Sequence, residues 1–318
     1  TLSSQWLCQP KLSFNTMESK MKFQHNITPG PRHYLKERND QLGQLKWKTI
    51  NVKRLSPCIG AEIGGVDLCQ PLDLETFDEV YAALLAYRVI FFRDQNISSQ
   101  QHMAFAKGFG ELEEHPFIPS DAPDAEVIRF DKDEKMVGVE NVWHSDVSWR
   151  EIPSLGSVLR AHVVPDIGGD TLFSDMVAAY ECLDDETKKL LEGKRAVNDF
   201  TQSFGSFLAP AELAEQQKKF PAVEHPLVRT SPETGARSLY ANAPFTSHIV
   251  GMDSDESDEL LGRLFLEARV PEYQCRFKWQ TDSIAFWDNR VVQHYATNDY
   301  WPQRRQMDRV TIIGDRPI

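Results

Sequence analysis

The chain has 318 residues, 41% hydrophobic and 26% charged, with a net charge of −12. That is enough apolar material for one large core or two modest ones. No apolar run approaches the roughly 18 to 20 residues of a membrane span, and the acidity excludes nucleic acid, whose binding rests on cationic contacts to phosphate.

The charge is uneven. Residues 1–50 carry eight Lys+Arg against three Asp+Glu, so they contribute +5 and the remainder −17. Residues 1–45 show little apolar periodicity and hold Pro10, Pro29, Gly30 and Pro31 among Ser, Asn, Gln and Lys. They read as an extension that is disordered or laid along the surface, with a leader or transit segment as the functional alternative. The absence of any Arg before Arg32 speaks against a transit peptide. The globular domain is expected over 46–318. Its first strand falls around Ile50 and Val52, and Gly60, Gly64 and Gly65 mark turns or bulges around a second.

Phe77, Val80, Tyr81, Leu84 and Leu85 share one helical face, and the run Arg88 to Arg93 reads as a buried strand. Ser98 with Gln101 forms a capping-box pattern that starts a helix running to about Phe109. His102 on that helix reads as a solvated face residue. The Gly168-Gly169 turn feeds a strand at Thr171 to Ser174, and Asp184 to Gly193 reads as a helix with a glycine at its C-terminal end. Asp199 to Gly205 is expected as strand and lid, followed by a mobile helix or loop from Pro210 to Lys219. Leu227-Val228 and Ser238 to Ala241 look like strands. Asp253 to Arg269 has the pattern of an amphipathic helix. From Gln274 to Gln280 alternation puts Cys275, Phe277 and Trp279 on one face. Strands at Ser283 to Trp287 and Arg309 to Gly314 finish the chain. Many short strands with helices before and between them point to an α+β fold on a jelly-roll core.

Cys8, Cys58, Cys69, Cys182 and Cys275 are odd in number and show no C-x-x-C pairing, so reduced thiols in a cytoplasmic enzyme are the expectation. A Gly-rich phosphate loop, a G-x-S-x-G elbow and internal repeats are all missing, which leaves dinucleotide hydride transfer and serine hydrolysis unsupported.

The chemistry centres on Trp143-His144-Ser145-Asp146-Val147-Ser148-Trp149. Read as a strand, this stretch points His144 and Asp146 to one face, a two-ligand bite for a metal. Iron(II) oxygenases use two His and one carboxylate and leave the opposite face of the metal open. The best second His is His294, within Phe286 to Ala296, ahead of the arginines Arg304, Arg305 and Arg309.

From about Val52 to Pro317 the sequence resembles the taurine dioxygenase family of iron(II)- and 2-oxoglutarate-dependent oxygenases. The resemblance is carried by Trp143 to Val147, by Gly168 to Phe173, and by Trp287-Asp288-Asn289-Arg290 through Gln293-His294-Tyr295-Ala296 to Arg304-Arg305 and Arg309-Val310-Thr311. It implies a double-stranded β-helix (jelly roll) with flanking helices and an active-site lid, and His144, Asp146 and His294 as ligands of Fe(II). It also implies that Thr171 and Arg305 grip the distal carboxylate of 2-oxoglutarate, with O2 taking the remaining metal site and ascorbate helpful in vitro. Arg309 and His115 match positions that hold a sulfonate, while Val147, Ser203, Phe204 and Phe245 match pocket positions around the rest of the substrate. The implied reaction hydroxylates the carbon next to a sulfonate, taurine or a related alkyl sulfonate, and releases sulfite and an aldehyde with succinate and CO2. Relatives with the same iron site oxidise alkyl sulfate esters, aryloxyalkanoates or other carboxylate-bearing metabolites. Ile118 departs from the family's Tyr near a substrate amino group, which leaves room for a longer alkyl or aryl sulfonate. The implied partners are a small anionic substrate and further copies of the chain, as a dimer or tetramer, with no nucleic acid and no membrane.

Overall fold

The computed structural model describes residues 30–118, 122 and 124–318, of which Arg32–Ile318 forms one compact unit. The first 29 residues of the expected extension lie outside the described residues. The rest of that extension differs from expectation, because His33–Gln44 is a helix that buries Leu42 among Ile50, Ile63 and Tyr87. Its apolar face is too thin for periodicity to show, and packing against the body supplies the stability that propensity lacks.

The body is layered around a seven-stranded sheet. Its strand order is Asn51–Arg54, Ala61–Gly64, Val89–Phe92, Ile284–Asp288, Ser154–Val163, Arg305–Ile313 and Val127–Lys132. All neighbours are antiparallel except Ala61–Gly64 beside Val89–Phe92. The central strands are apolar on both faces, and alternation sorts their side chains into two cores. Ile90, Phe92, Val158, Ile284, Phe286 and Val310 pack with the helices Leu74–Tyr87 and Ser99–Lys107. Val89, Phe91, Leu159, Ala285, Trp287 and Met307 form the other face with Phe173, Phe277 and Val292.

Those last three belong to a smaller antiparallel sheet ordered Gln274–Phe277, Thr171–Asp175 and Val292–Ala296. Phe91 stacks on Phe277 with ring centroids 3.9 Å apart, and Phe173 meets Trp287 at 5.5 Å. The two sheets therefore face each other across an aromatic core. Short strands at 195–198, 223–226 and 246–249 form a further three-stranded sheet.

The capping box forms in both directions between Ser98 and Gln101. His102, however, is buried and its Nε2 lies 3.0 Å from the Val158 carbonyl. Burial lowers it to about 4, so it is a neutral core residue and the expected solvated face is wrong. A second correction falls on 199–205, where a short helix, Thr201–Phe204, replaces the expected strand. Asp199, two residues before it, accepts from the Thr201 backbone N–H at 2.7 Å. Pro210–Lys219 is a helix, and the last strand begins at Arg305, four residues earlier than expected. Among the described residues no helix is long and apolar enough to cross a membrane.

Candidate active site

His144 and Asp146 do not lie on a strand. His144 makes an isolated antiparallel bridge to His294, with paired backbone hydrogen bonds of 3.1 and 2.8 Å, and the chain then turns. Val147 sits at φ +46°, a conformation that costs a β-branched residue strain. The turn is held from outside itself. Ser145 Oγ donates to the Val292 carbonyl at 2.8 Å, and Ser154 Oγ donates to the Asp146 carbonyl at 3.2 Å.

The bite expected from the sequence nevertheless forms. One ligand atom from each of His144, Asp146 and His294 lies within 4.8 Å of the others. Asp146 Oδ1 is 3.7 Å from His144 Nε2 and 3.9 Å from His294 Nε2. His144 Nδ1 is 2.8 Å from the Val142 carbonyl, an acceptor that fixes the proton on Nδ1 and turns the Nε2 lone pair to the cluster. Burial, and then the imidazole of His144, pushes His294 well below the ordinary histidine value, so His294 is a neutral nitrogen donor. Burial alone would raise Asp146, but the Arg309 guanidinium, helped by the hydrogen bond from the Ser157 hydroxyl, overrides it and holds the carboxylate ionised. Two imidazoles and one carboxylate gathered at one cavity fit a divalent first-row metal.

Thr171 and Arg305 meet in a pocket beside this cluster. The Gly168-Gly169 turn, at φ +84° and +70°, brings the Gly169 carbonyl to 3.0 Å from Arg305 Nε, and a Cβ on Gly169 would meet Arg305 Cδ at 3.2 Å. Arg305 Nη2 is buried with no hydrogen-bond partner among the described residues. An orphaned cationic N–H in one pocket with a threonine hydroxyl fits a carboxylate, because leaving such a donor unpaired is costly. The donor set thus fits the distal end of a dicarboxylate cosubstrate.

A larger cavity, about 870 Å³, opens on the other side of His144 and Asp146. Every substrate residue expected from the sequence lines it: His115, Val147, Ser203, Phe204, Phe245 and Arg309, with Ile118 among them. Arg309 and His144 border both cavities, whereas Arg305 borders only the first. Arg309 Nη1 donates to Asp146 Oδ1 at 2.6 Å, and its buried Nε has no partner among the described residues. His115 Nδ1 accepts from the backbone N–H groups of Phe117 and Ile118 at 3.2 and 3.1 Å, so Nε2 carries the proton. Burial and the neighbouring Arg309 lower His115 to about 3, which makes it a neutral donor. Ser203 Oγ donates to the Pro244 carbonyl at 2.8 Å and is left as an acceptor.

Four neighbours of these residues were given no role from the sequence. Ser157 donates to Asp146, Trp279 donates to Thr171, and Lys132 pairs with Glu140 at 3.1 Å on the wall shared by the two cavities. Only their types were readable, since each acts through a partner about 10 to 110 residues away.

Residues 51–311 match the family described as "Taurine catabolism dioxygenase TauD, TfdA family". The chain belongs to this family. Its members are oxidoreductases that depend on iron(II) and 2-oxoglutarate, and the triad supplies the expected metal donors. The chain is 34% identical over 274 residues to the alkylsulfatase of Acinetobacter baylyi, covering 84% of this chain and 86% of that protein. It is similar at 39% identity and a TM-score of 0.74 to a solved structure described as a putative α-ketoglutarate-dependent taurine dioxygenase from Burkholderia xenovorans, covering 85% of this chain and 94% of that one. AAD-2 in complex with Mn(II) and N-oxalylglycine matches at 34% identity and a TM-score of 0.73, covering 85% and 99%. The chain has the mixed architecture of sheets and helices of these two solved structures.

Proposed function

We propose that this TauD/TfdA dioxygenase hydroxylates the carbon next to a sulfonate that bears an alkyl or aryl tail. In this reading His144, Asp146 and His294 hold the iron, Thr171 and Arg305 hold the distal carboxylate of 2-oxoglutarate, and His115 with Arg309 holds the sulfonate. Val147, Ser203, Phe204 and Phe245 shape the pocket around the rest of the substrate. The catalytic domain is proposed to run from Arg32 onward, with the facing sheets forming a jelly roll and 201–208 a lid. A homo-oligomer in the cytoplasm completes the reading, supported by the family resemblance and by the free thiols of Cys58, Cys69, Cys182 and Cys275.

One observation carries the substrate assignment. The cavity that contains the Arg309 guanidinium and the His115 donor has an apolar wall that includes Phe117, Ile118, Phe204, Phe207, Leu208 and Phe245. Its acidic side chains other than Asp146 are Asp131 and Glu140, and these are paired with Arg304 and Lys132. An ammonium tail would therefore find no free carboxylate among the described residues, while an apolar tail would bury its surface.

When bound, iron and 2-oxoglutarate supply the oxidising chemistry, and the cosubstrate leaves as succinate and CO2. The chain's own work is to grip two anions, place one C–H bond and exclude water, so positioning dominates. A carbon bearing both hydroxyl and sulfonate collapses to an aldehyde and sulfite. The second reading is an alkyl sulfate ester, favoured by the similarity to an alkylsulfatase, whose hydroxylated carbon would collapse to an aldehyde and sulfate.

The released anion separates the two. With hexanesulfonate, hexyl sulfate, taurine and an aryloxyacetate offered in turn, sulfite equimolar with succinate is expected from hexanesulfonate, with much less from taurine. Sulfate from hexyl sulfate without sulfite from any sulfonate would move the substrate to the ester. Succinate formation stimulated by none of the four would overturn the reading.

A further inference from the structure

The motif Trp287-Asp288-Asn289-Arg290 divides into two halves. Asp288 and Arg290 pair with each other at 2.8 Å, and Arg290 also pairs with Glu233 at 2.8 Å, which pins the turn. Trp287 and Asn289 face the opposite way in chemical terms, toward the metal-site carboxylate.

The hydrogen bonds there have only one consistent direction. An indole N–H donates and cannot accept. Trp287 Nε1 donates to Asn289 Oδ1 at 2.8 Å, and the Asp146 backbone N–H donates to the same oxygen at 3.2 Å. Two donors on one oxygen fix the orientation of the amide. Asn289 Nδ2 must then face Ser157, and it donates to Ser157 Oγ at 3.0 Å. With its oxygen already accepting, Ser157 has one hydrogen to place, and it goes to Asp146 Oδ2 at 2.7 Å. Trp287 and Ser157 are register partners on adjacent strands, and all four side chains are 0–4% exposed. The chain of donors is built into the large sheet.

We propose that Ser157, oriented by Asn289 and Trp287, is a positioning residue that holds Oδ2 of Asp146 and so fixes the rotation of the carboxylate, with Oδ1, which also accepts from Arg309 Nη1 at 2.6 Å, as the oxygen that would bind the metal. Oδ1 is the oxygen that faces both imidazole Nε2 atoms. A carboxylate bound through both oxygens would take a second place on the ion, which an octahedral centre needs for a chelating cosubstrate and oxygen. A carboxylate with one oxygen held by a charge-assisted hydrogen bond is also fixed in rotation, and such partners commonly contribute 10- to 100-fold to metal affinity. The proposal rests on Asp146 as a metal ligand.

The test titrates Mn(II), a redox-silent probe, into the wild-type protein and the Ser157→Ala, Asn289→Ala, Ser157→Ala/Asn289→Ala and Asp146→Ala variants, reading free Mn(II) by electron paramagnetic resonance. Ser157→Ala is expected to weaken binding by about 10- to 100-fold in a protein that still folds, with a lower thermal midpoint because Asn289 Nδ2 and Asp146 Oδ2 lose this partner. Asn289→Ala should weaken it less, and the double variant should lose less than the sum of the two single variants, because part of the effect of Asn289 passes through Ser157 while its Oδ1 also holds the Asp146 backbone N–H directly. Wild-type affinity in Ser157→Ala, with binding lost in Asp146→Ala, would overturn the proposal and leave the metal site standing. Wild-type affinity in both would overturn the metal site itself. Additive losses would overturn the relay. If Asn289→Ala fails to fold, the Ser157→Ala arm still decides.

Discussion

An indole can donate a hydrogen bond but cannot accept one, and this gives Trp279 a role in a pocket whose anion it does not touch. Its Nε1 donates to Thr171 Oγ1 at 3.0 Å, which leaves the Thr171 hydroxyl hydrogen for an acceptor in the pocket. Its ring also lies 5.9 Å from the Arg305 guanidinium, opposite Tyr300 at 6.0 Å. Trp279→Phe keeps the aromatic wall and removes the donor, so it should weaken N-oxalylglycine binding to the Mn(II)-loaded protein by about 3- to 10-fold, the cost of one net hydrogen bond. Affinity for Mn(II) itself should not move. Unchanged N-oxalylglycine affinity would reduce Trp279 to packing. The alternation of Cys275, Phe277 and Trp279 is plain in the sequence, and all three are buried as expected. The donor role is not readable there, because Thr171 is 108 residues distant.

At the scale of elements, local signals were reliable where the partner was local and failed where it was not. The helix Ser99–Lys107 begins at the capping box that its sequence spells, yet His102 on it is a core residue because Val158, 56 positions away, offers a carbonyl. The expected strand through His144 and Asp146 becomes a bridge and a turn for the same reason, since Val292 and Ser154 hold backbone that local propensity would extend. The helix Leu74–Tyr87 illustrates a tie that no periodicity announces. Glu79 accepts from the backbone N–H groups of Lys48, Thr49 and Ile50 and from the Thr49 hydroxyl, at 2.7 to 3.2 Å. Desolvation alone would raise this carboxyl, but those donors override it and lower it from 4.5 to about 2. A depressed folded-state value contributes stability that is fully present above about 4.5 and is lost as pH falls toward 2. Urea unfolding at pH 5 and pH 3 should therefore show a smaller acid-side loss in Glu79→Gln than in wild type, together with lower stability at pH 5. An equal loss in both would mean that Glu79 does not anchor this helix to 48–50.

Across the whole molecule, the site is assembled from distant pieces: a turn at 144–147, loop residues at 115–118, a short helix at 201–204, Phe245 and one long strand. The metal triad was legible because its residue types are rare and its chemistry demands a fixed set, whereas the cavity was legible only through family resemblance, since no spacing links Ile118 to Phe207. In the proposed reading, the strand Arg305–Ile313 separates the two anions. Arg305 and Arg309 are four residues apart and the irregular register opposite them falls on the neighbouring strand at His162, so their parity is kept. Arg305 borders only the smaller pocket, proposed for the cosubstrate, while Arg309 borders both that pocket and the larger cavity and reaches Asp146. Charge-assisted hydrogen bonds contribute about 1.5 to 3 kcal/mol each, so losing one is worth roughly 10- to 100-fold in affinity. Arg305→Gln is accordingly expected to weaken N-oxalylglycine binding by that factor and leave the affinity for hexanesulfonate near wild type. Arg309→Gln should do the reverse, and because it also removes the cation from Asp146 it should leave Mn(II) binding intact or strengthen it. If the two variants had interchangeable effects on the two ligands, the molecule would have one shared anion site instead of two set side by side along a single strand.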